Sequence, residues 1–369
     1  MNSHIVTIFI AFFISSLLLG CDNKSTEVTD THIVDPATVG VSVEQLNKID
    51  TLVKKAVEDR VVPGTVVLIA KEGKVIYHKA FGNSNLDTAM TTDTIFLMYS
   101  SSKIVPAIAI MQLVEQGKVK LDDPITNYLP EFKDLKIKVK LPEGSHPEFK
   151  LVPVKNYPTI RHILAMTSGI VGYWDVDYLI EGVDIGDGDP DFDLAENVRR
   201  LSRVPLLFEP GSDYAYTLGI DVAGRIVEIA SGLSYSEYLQ TNIFQPLKMQ
   251  DTFFYPPVEK IARTSVIYES DGNILTGKIK PHKYKNRKLF SAGVGIYSTT
   301  GNYFKLGQML LNGGEYKGAR ILKQSSVDEI KRNQVGNLTG VKNFHFFQQG
   351  YEKYGLGCFI HGSDGFRDK

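Results

Sequence analysis

Residues 96–114 read FLMYSSSKIVPAIAIMQLV. The stretch opens on Ser100-Ser101-Ser102-Lys103, a Ser-x-x-Lys tetrad, and runs on into an apolar segment. Ile104, Ala107, Ile108 and Met111 recur at helical spacing and Val114 adds a further turn, so the spacing predicts a helix that starts at the tetrad. Residues three apart share a helix face, which sets Lys103 beside Ser100 and turns Ser101 and Ser102 away. A desolvated amine next to a hydroxyl can take its proton. A serine at a helix N-terminus also presents its backbone N–H and the positive end of the dipole to a developing oxyanion. Pro106 lacks an N–H and is expected to kink the helix. A solvated lysine after a serine-rich helix start is the bland alternative, so the weight rests on what flanks the tetrad.

The 369 residues carry a net charge of −1 and are 43% hydrophobic, a globular balance that gives no reason to invoke nucleic acid. At the N-terminus, residues 5–19 form an apolar run. It is shorter than the ~20 residues that span a bilayer. It ends in Leu18-Leu19-Gly20-Cys21 before polar Asp22-Asn23. This resembles a bacterial lipoprotein signal, although residues 2–4 contain no Lys or Arg. The expectation is a signal over residues 1–20, lipid on Cys21, a polar tether over 21–38 and a folded domain from 39, held at a membrane of the cell envelope. The second cysteine, Cys358, reads as a buried, inert strand residue.

Residues 41–58 have a helical stripe of Leu46, Ile49, Leu52, Val53 and Val57. Two β-branched runs, 65–70 and 75–80, flank Lys71-Glu72-Gly73-Lys74 and predict a β-hairpin. Residues 133–156 are basic and Pro-containing, and read as a surface hairpin or loop. His162 reads as a helix packing or surface residue. The acidic run around Asp187 lacks the glycine and glutamate of a calcium loop, with Phe192 and Val198 in their places, and reads as a solvated loop.

With these pieces in order, a resemblance becomes specific. PGTVVLIAKEGKVIYHKAFG (63–82), DTIFLMYSSSK (93–103), EQGKVKLDDPITNYLPEF (115–132), TIRHILAMTSG (159–169) and FSAGVGIYSTTGNYFKLGQMLL (290–311) resemble the serine β-lactamase-related hydrolases. That family includes class C β-lactamases, D-alanyl-D-alanine carboxypeptidases and β-lactamase-fold esterases, and the likeness covers about residues 40–360. It implies an α/β fold of the β-lactamase/transpeptidase type, with an antiparallel sheet flanked by helices and a large, mostly helical insertion from about 100 to 290. It implies that Ser100 is acylated and that Lys103 moves its proton. The family's second motif, Tyr-x-Asn or Tyr-Ser-x, falls on Tyr216 after Pro210-Gly211, and a phenol there acts as proton acceptor and donor if the lysine lowers its pKa. Leu218 stands where β-lactamases and peptidases carry an amide that binds substrate. That replacement favours esters. No metal or organic cofactor is implied.

The third motif, which supplies a strand wall and a second oxyanion N–H, has one candidate in His361-Gly362-Ser363. Its spacing is awkward, and it reads better as a turn, with the C-terminal strands truncated. Three readings stand at this point. One is a serine esterase or amidase acting on a small molecule. Another is a β-lactamase or D,D-peptidase acting on peptidoglycan-like substrates. The last is a non-catalytic relative or an inactive truncated form.

Overall fold

The computed structural model describes residues 31–171, 193–217, 219–271, 274–280, 288–336, 338 and 353–360. Cys21, the acidic run around Asp187, Leu218 and His361 lie outside the described residues. No helix among the described residues is long and apolar enough to cross a membrane.

Helix α1 (Val43–Glu58) starts where the Ser42 side chain accepts a hydrogen bond from Gln45 N. Leu46 is buried and Ile49 packs beside it against the sheet, while Leu52 faces water, 70% exposed. The sequence stripe was therefore one residue too wide. Strands β1 (Gly64–Lys71) and β2 (Lys74–Asn85) form the expected antiparallel hairpin. Its two turn residues, Glu72 and Gly73, have φ of 52° and 73°, a pair of left-handed residues that matches the twist of the strands. Short β3 (Thr88–Ala89) extends this sheet to the order β1-β2-β3. Asp50 of α1 accepts hydrogen bonds from Tyr77 and Lys79 of β2, at 2.7 and 2.8 Å. The packed fold begins earlier than residue 39: Ile33 bridges Val75, Val34 N donates to Val75 O, and Val39 is buried against the same layer.

Strand β4 (Ile95–Leu97) leads into a 3-10 turn (Tyr99–Lys103) and then α2 (Ile104–Glu115). The tetrad is thus not in α-helix. Pro106 has no N–H to offer the Ser102 carbonyl, so the α pattern starts at Ile104 and Pro106 lies in the first turn. There its missing donor costs nothing. From Val105 to Met111 every side chain of α2 is buried, and so is Leu113, as befits a helix apolar on all faces at the centre of a core.

Helices α3 (Ile160–Leu164), α4 (Leu194–Leu201) and α6 (Tyr235–Leu239) pack on α5 (Ile220–Ser231), which in turn lies against α2. Residues 133–156 hold the expected surface hairpin, β5 (Lys136–Lys140) against β6 (Phe149–Pro153). A second hairpin pairs β7 (Ile267–Asp271) with β8 (Ile274–Lys280). His162 of α3 completes a capping box: its Nδ1 accepts from Thr159 N at 3.3 Å.

Strand β9 (Tyr297–Thr299) pairs with β4, and α7 (Thr300–Leu311) runs from it across β1. After β10 (Glu315–Tyr316), β11 (Ala319–Arg320) and α8 (Gln324–Lys331) comes a last hairpin, β12 (Lys353–Tyr354) with β13 (Phe359–Ile360). An open apolar depression of about 860 Å³ lies between β1 and α7, with Leu68, Phe304 and Leu311 on its walls.

The two extremes of burial give a direct check. Ile110→Ala empties space beside a fully buried neighbourhood and should cost about 2–5 kcal/mol in urea unfolding. Leu52→Ala should stay within about 0.5 kcal/mol of the wild type.

Candidate active site

Tyr99 has φ 44°, an uncommon conformation for a residue with a side chain, and it turns the chain sharply from β4 into the 3-10 turn. In 3-10 geometry residues i and i+3 eclipse, so Ser100 and Lys103 stack more directly than on an α-helix. Lys103 Nζ donates to Ser100 Oγ at 3.2 Å and to the Gly293 carbonyl at 3.0 Å. The three serines part company. Ser100 is exposed to the cavity. The Ser101 carbonyl accepts from Tyr303 OH at 2.5 Å. Buried Ser102 accepts from Ile296 N at 3.3 Å and so ties the turn to the segment before β9.

Lys103 is only 3% exposed. Burial pushes its amine down from 10.5 to about 8, and the buried Asp221 carboxylate opposes that shift. Tyr216 contributes through its ring as well as its hydroxyl. Lys103 Nζ sits 4.7 Å from the ring centroid, within cation–π range. The hydroxyl is hydrogen-bonded to Ser100. Burial raises the phenol above its ordinary range, and the bond to Ser100 pulls it partway back. The expected lowering is not what results: burial dominates and the phenol is shifted upward. Lys103 is the group held ready to accept a proton near neutral pH, and Tyr216 keeps a proton that it can donate.

Ser100 opens into a cavity of about 400 Å³ bounded by Lys103, Ile104, Tyr216, Tyr303, Tyr354, Cys358 and Phe359. Of the two, only the smaller cavity holds Ser100, Lys103 and Tyr216; the larger depression beside β1 holds none of them. Phe359 stacks on Tyr216 with centroids 5.9 Å apart and rings 15° from parallel, and meets Tyr354 edge-on at 5.0 Å. Cys358 is in the turn between β12 and β13, half-buried on the cavity wall, rather than in a buried strand. Burial raises its thiol to about 11, which keeps it an inert thiol at neutral pH. Gly357, at φ 74°, lies against the Lys103 backbone: a Cβ there would be 2.4 Å from the Lys103 carbonyl oxygen.

Ser100, Lys103 and Tyr216 are therefore brought together as the sequence predicted. The Ser100 N–H lies just before Ser101 N, which bonds back to the Met98 carbonyl at 3.0 Å, at the start of the turn where an oxyanion can meet it. Sequence reasoning missed the Gly293 carbonyl, Phe359 and Asp221. Only Gly293 left a trace, as a glycine suited to close approach. A Cβ on it would sit 3.0 Å from Ile220 and 3.7 Å from Lys103 Nζ. Among the described residues no three His, Cys, Asp or Glu side chains gather as a metal site would require.

A buried lysine set between a cavity-facing serine and a tyrosine is the arrangement expected of a serine hydrolase. The chain belongs to the beta-lactamase family, whose model matches residues 49–366. Esterase EstB of Burkholderia gladioli is 36% identical over 233 residues, which is 60% of this chain and 55% of the esterase, so the alignment spans about half the length of that relative. A putative D-alanyl-D-alanine carboxypeptidase of Escherichia coli K12 is 25% identical over 342 residues, 85% of this chain and 75% of the relative. The solved structure of EstCE1, described as a hydrolase with promiscuous acyltransferase activity, shares the fold with a TM-score of 0.69. It is 24% identical and the match covers 86% of this chain and 82% of that one.

The buried amine has a thermodynamic signature. Its folded pKa lies below its unfolded value, so folding penalises the ammonium form, on the order of 3 kcal/mol for a fall from 10.5 to about 8. The penalty acts in full below pH ~8 and fades as pH rises toward the unfolded value. Lys103→Met should therefore unfold at higher urea at pH 7, by about 1–3 kcal/mol. The gain should shrink between pH 8 and 10.5 when the two proteins are titrated side by side.

Proposed function

We propose that this protein is a serine hydrolase that cleaves esters of small carboxylic acids through an acyl-enzyme on Ser100. The observation that carries the reading is the buried Lys103 amine, with a pKa of about 8, lying 3.2 Å from Ser100 Oγ. As Ser100 Oγ attacks the ester carbonyl, neutral Lys103 takes the hydroxyl proton. The oxyanion forms within reach of the Ser100 N–H. When the tetrahedral intermediate collapses, the bond to the alcohol oxygen breaks and Tyr216 delivers the proton that the alkoxide needs. The proton that Lys103 took from Ser100 then passes from the ammonium to the phenolate of Tyr216, so both groups return to their starting forms. Water then attacks the acyl-enzyme by the same route and releases the acid. Leu218 supports an ester over a peptide-like substrate, because an apolar side chain offers no donor or acceptor to an amide. The aromatic lining of Tyr216, Tyr354 and Phe359 suits an apolar acyl group.

The reading is tested with a fluorophosphonate probe on the purified full chain. Labelling at Ser100 that Ser100→Ala abolishes is expected, and a folded chain that takes no label would sink the proposal. Hydrolysis of 4-nitrophenyl butyrate should rise with pH and level off above about 8, because only the neutral amine accepts the proton. Lys103→Arg should lower kcat roughly 10²–10⁴-fold.

A second reading has a specific observation behind it: the carboxypeptidase-named relative matches most of the chain. On that reading the substrate is a peptidoglycan-like amide or a β-lactam. Nitrocefin turnover, or stable labelling by penicillin, would favour it over ester cleavage.

The sequence around Cys21 supports an envelope location, with the domain held at a bacterial membrane by lipid on that cysteine after removal of residues 1–20. Tritiated palmitate should label the protein expressed in bacteria, and Cys21→Ser should abolish the label. An unlabelled wild-type chain would refute the anchor.

A further inference from the structure

Asp221 stands in the first turn of α5, 2% exposed, and touches no reacting atom. Every buried carboxylate needs partners, because an unpaired one in an apolar interior is very costly. This one has four. Its oxygens accept from Ser291 Oγ at 3.0 Å, from Gly293 N at 3.2 Å and from Asn197 Nδ2 at 2.8 Å. The Ala292 N–H is the fourth. Asn197 comes from α4, so the carboxylate joins two helices to one turn, residues 291–293.

That turn ends at the lysine. The same Gly293 whose N–H is held by Asp221 offers its carbonyl to Lys103 Nζ at 3.0 Å. Gly293 has no side chain, and Ile220, the residue before Asp221, presses on the side a Cβ would occupy. The carbonyl is thus fixed from behind by the carboxylate and from the flank by α5. The ammonium has two hydrogen-bond acceptors, Ser100 and this carbonyl, and the carbonyl decides which way the amine points.

We propose that Asp221 is a positioning residue for the proton transfer at Ser100: through Ser291, Ala292 and Gly293 it locks the carbonyl that aims Lys103 at the nucleophile. The proposal rests on the serine-hydrolase reading for its kinetic consequence, though not for its structural one. It also gives the carboxylate an electrostatic part, since its negative charge favours the charged form of Lys103 and opposes the effect of burial. The other titratable groups facing the lysine are Tyr216, Tyr303, Tyr354 and Cys358, and Tyr235 of α6 lies beside the carboxylate; burial raises all five, so none carries charge near neutral pH. Burial raises Asp221 as well, and its hydrogen bonds to Ser291, Gly293 and Ala292 and the charge of Lys103 oppose that.

Asp221→Asn keeps the shape and removes the charge, and it turns an amide donor toward backbone N–H groups that already donate. Two effects of opposite sense should follow. The rate of Ser100 acylation by 4-nitrophenyl butyrate at its high-pH plateau should fall roughly 10- to 100-fold with little change in KM, because the amine is misaimed. The acid limb of the pH profile should move to lower pH by roughly 0.5 unit or more, because the ammonium has lost its nearest negative charge. General loosening of the fold does not produce that second shift.

Ser291→Ala keeps the charge and removes one grip. It should lower the plateau less and leave the limb in place, and it decides the matter if Asp221→Asn fails to fold. Trace acetylation of Lys103 across pH, read by mass spectrometry, follows the amine without any turnover. It should titrate at lower pH in Asp221→Asn than in wild type. Wild-type protein that takes no fluorophosphonate defeats the hydrolase reading, while the acetylation curves still judge Asp221. An Asp221→Asn protein with wild-type plateau and unmoved curves overturns the proposal, as does a wild-type plateau in Ser291→Ala where Asp221→Asn cannot be prepared.

Discussion

The constraint on which the site depends is the burial of one amine. Lys103 is held almost entirely out of water, between a hydroxyl, a carbonyl and the face of an aromatic ring. In water a lysine is charged and useless as a base at neutral pH. Here loss of hydration weakens the charged form, and a distant carboxylate keeps the weakening in bounds. The surrounding fold supplies the tolerance for such a cost. Helix α2 has nearly all its apolar side chains buried, so the turn that carries the lysine is anchored in the close-packed core.

Much of this was legible in the order of residues. Tyr216 was placed only through the resemblance to the family's second motif, whereas Ser100 and Lys103 stood out by their spacing and the β1–β2 hairpin by its branched runs and glycine turn. These are local signals, and local geometry enforces them. By periodicity Pro106 reads as a second-turn residue of a helix that begins at the tetrad, yet the tetrad is 3-10 and Pro106 falls in the first turn of α2, a distinction a periodicity argument does not resolve. Leu52 fitted the stripe by spacing, yet the sheet covers only the narrower face of α1. Cys358 looked like strand interior because its neighbours are apolar, while Gly357 beside it forces a turn.

What the sequence concealed is the part assembled from distant segments. The Gly293 carbonyl reaches Lys103 across 190 positions, and Asp221 meets Ser291 across 70. An aspartate at a helix start reads as a favourable charge near the dipole and nothing more. Its partners can be found only once α4, α5 and the turn before β9 have come together. The same holds for Phe359, whose ring lies along Tyr216 although the two stand on unrelated elements.

The run of three serines deserves to be seen as three separate addresses. The first faces the cavity, the second lends its carbonyl to Tyr303, and the third is sealed in the interior against the backbone of Ile296. A library randomised at these adjacent codons would therefore return three unrelated profiles of tolerance. The outermost would be intolerant for its reactivity, the middle one permissive in its side chain, and the innermost restricted by volume. Identical letters in a row here record how quickly the local environment changes along a single turn, from solvent to solid core within one residue's rise.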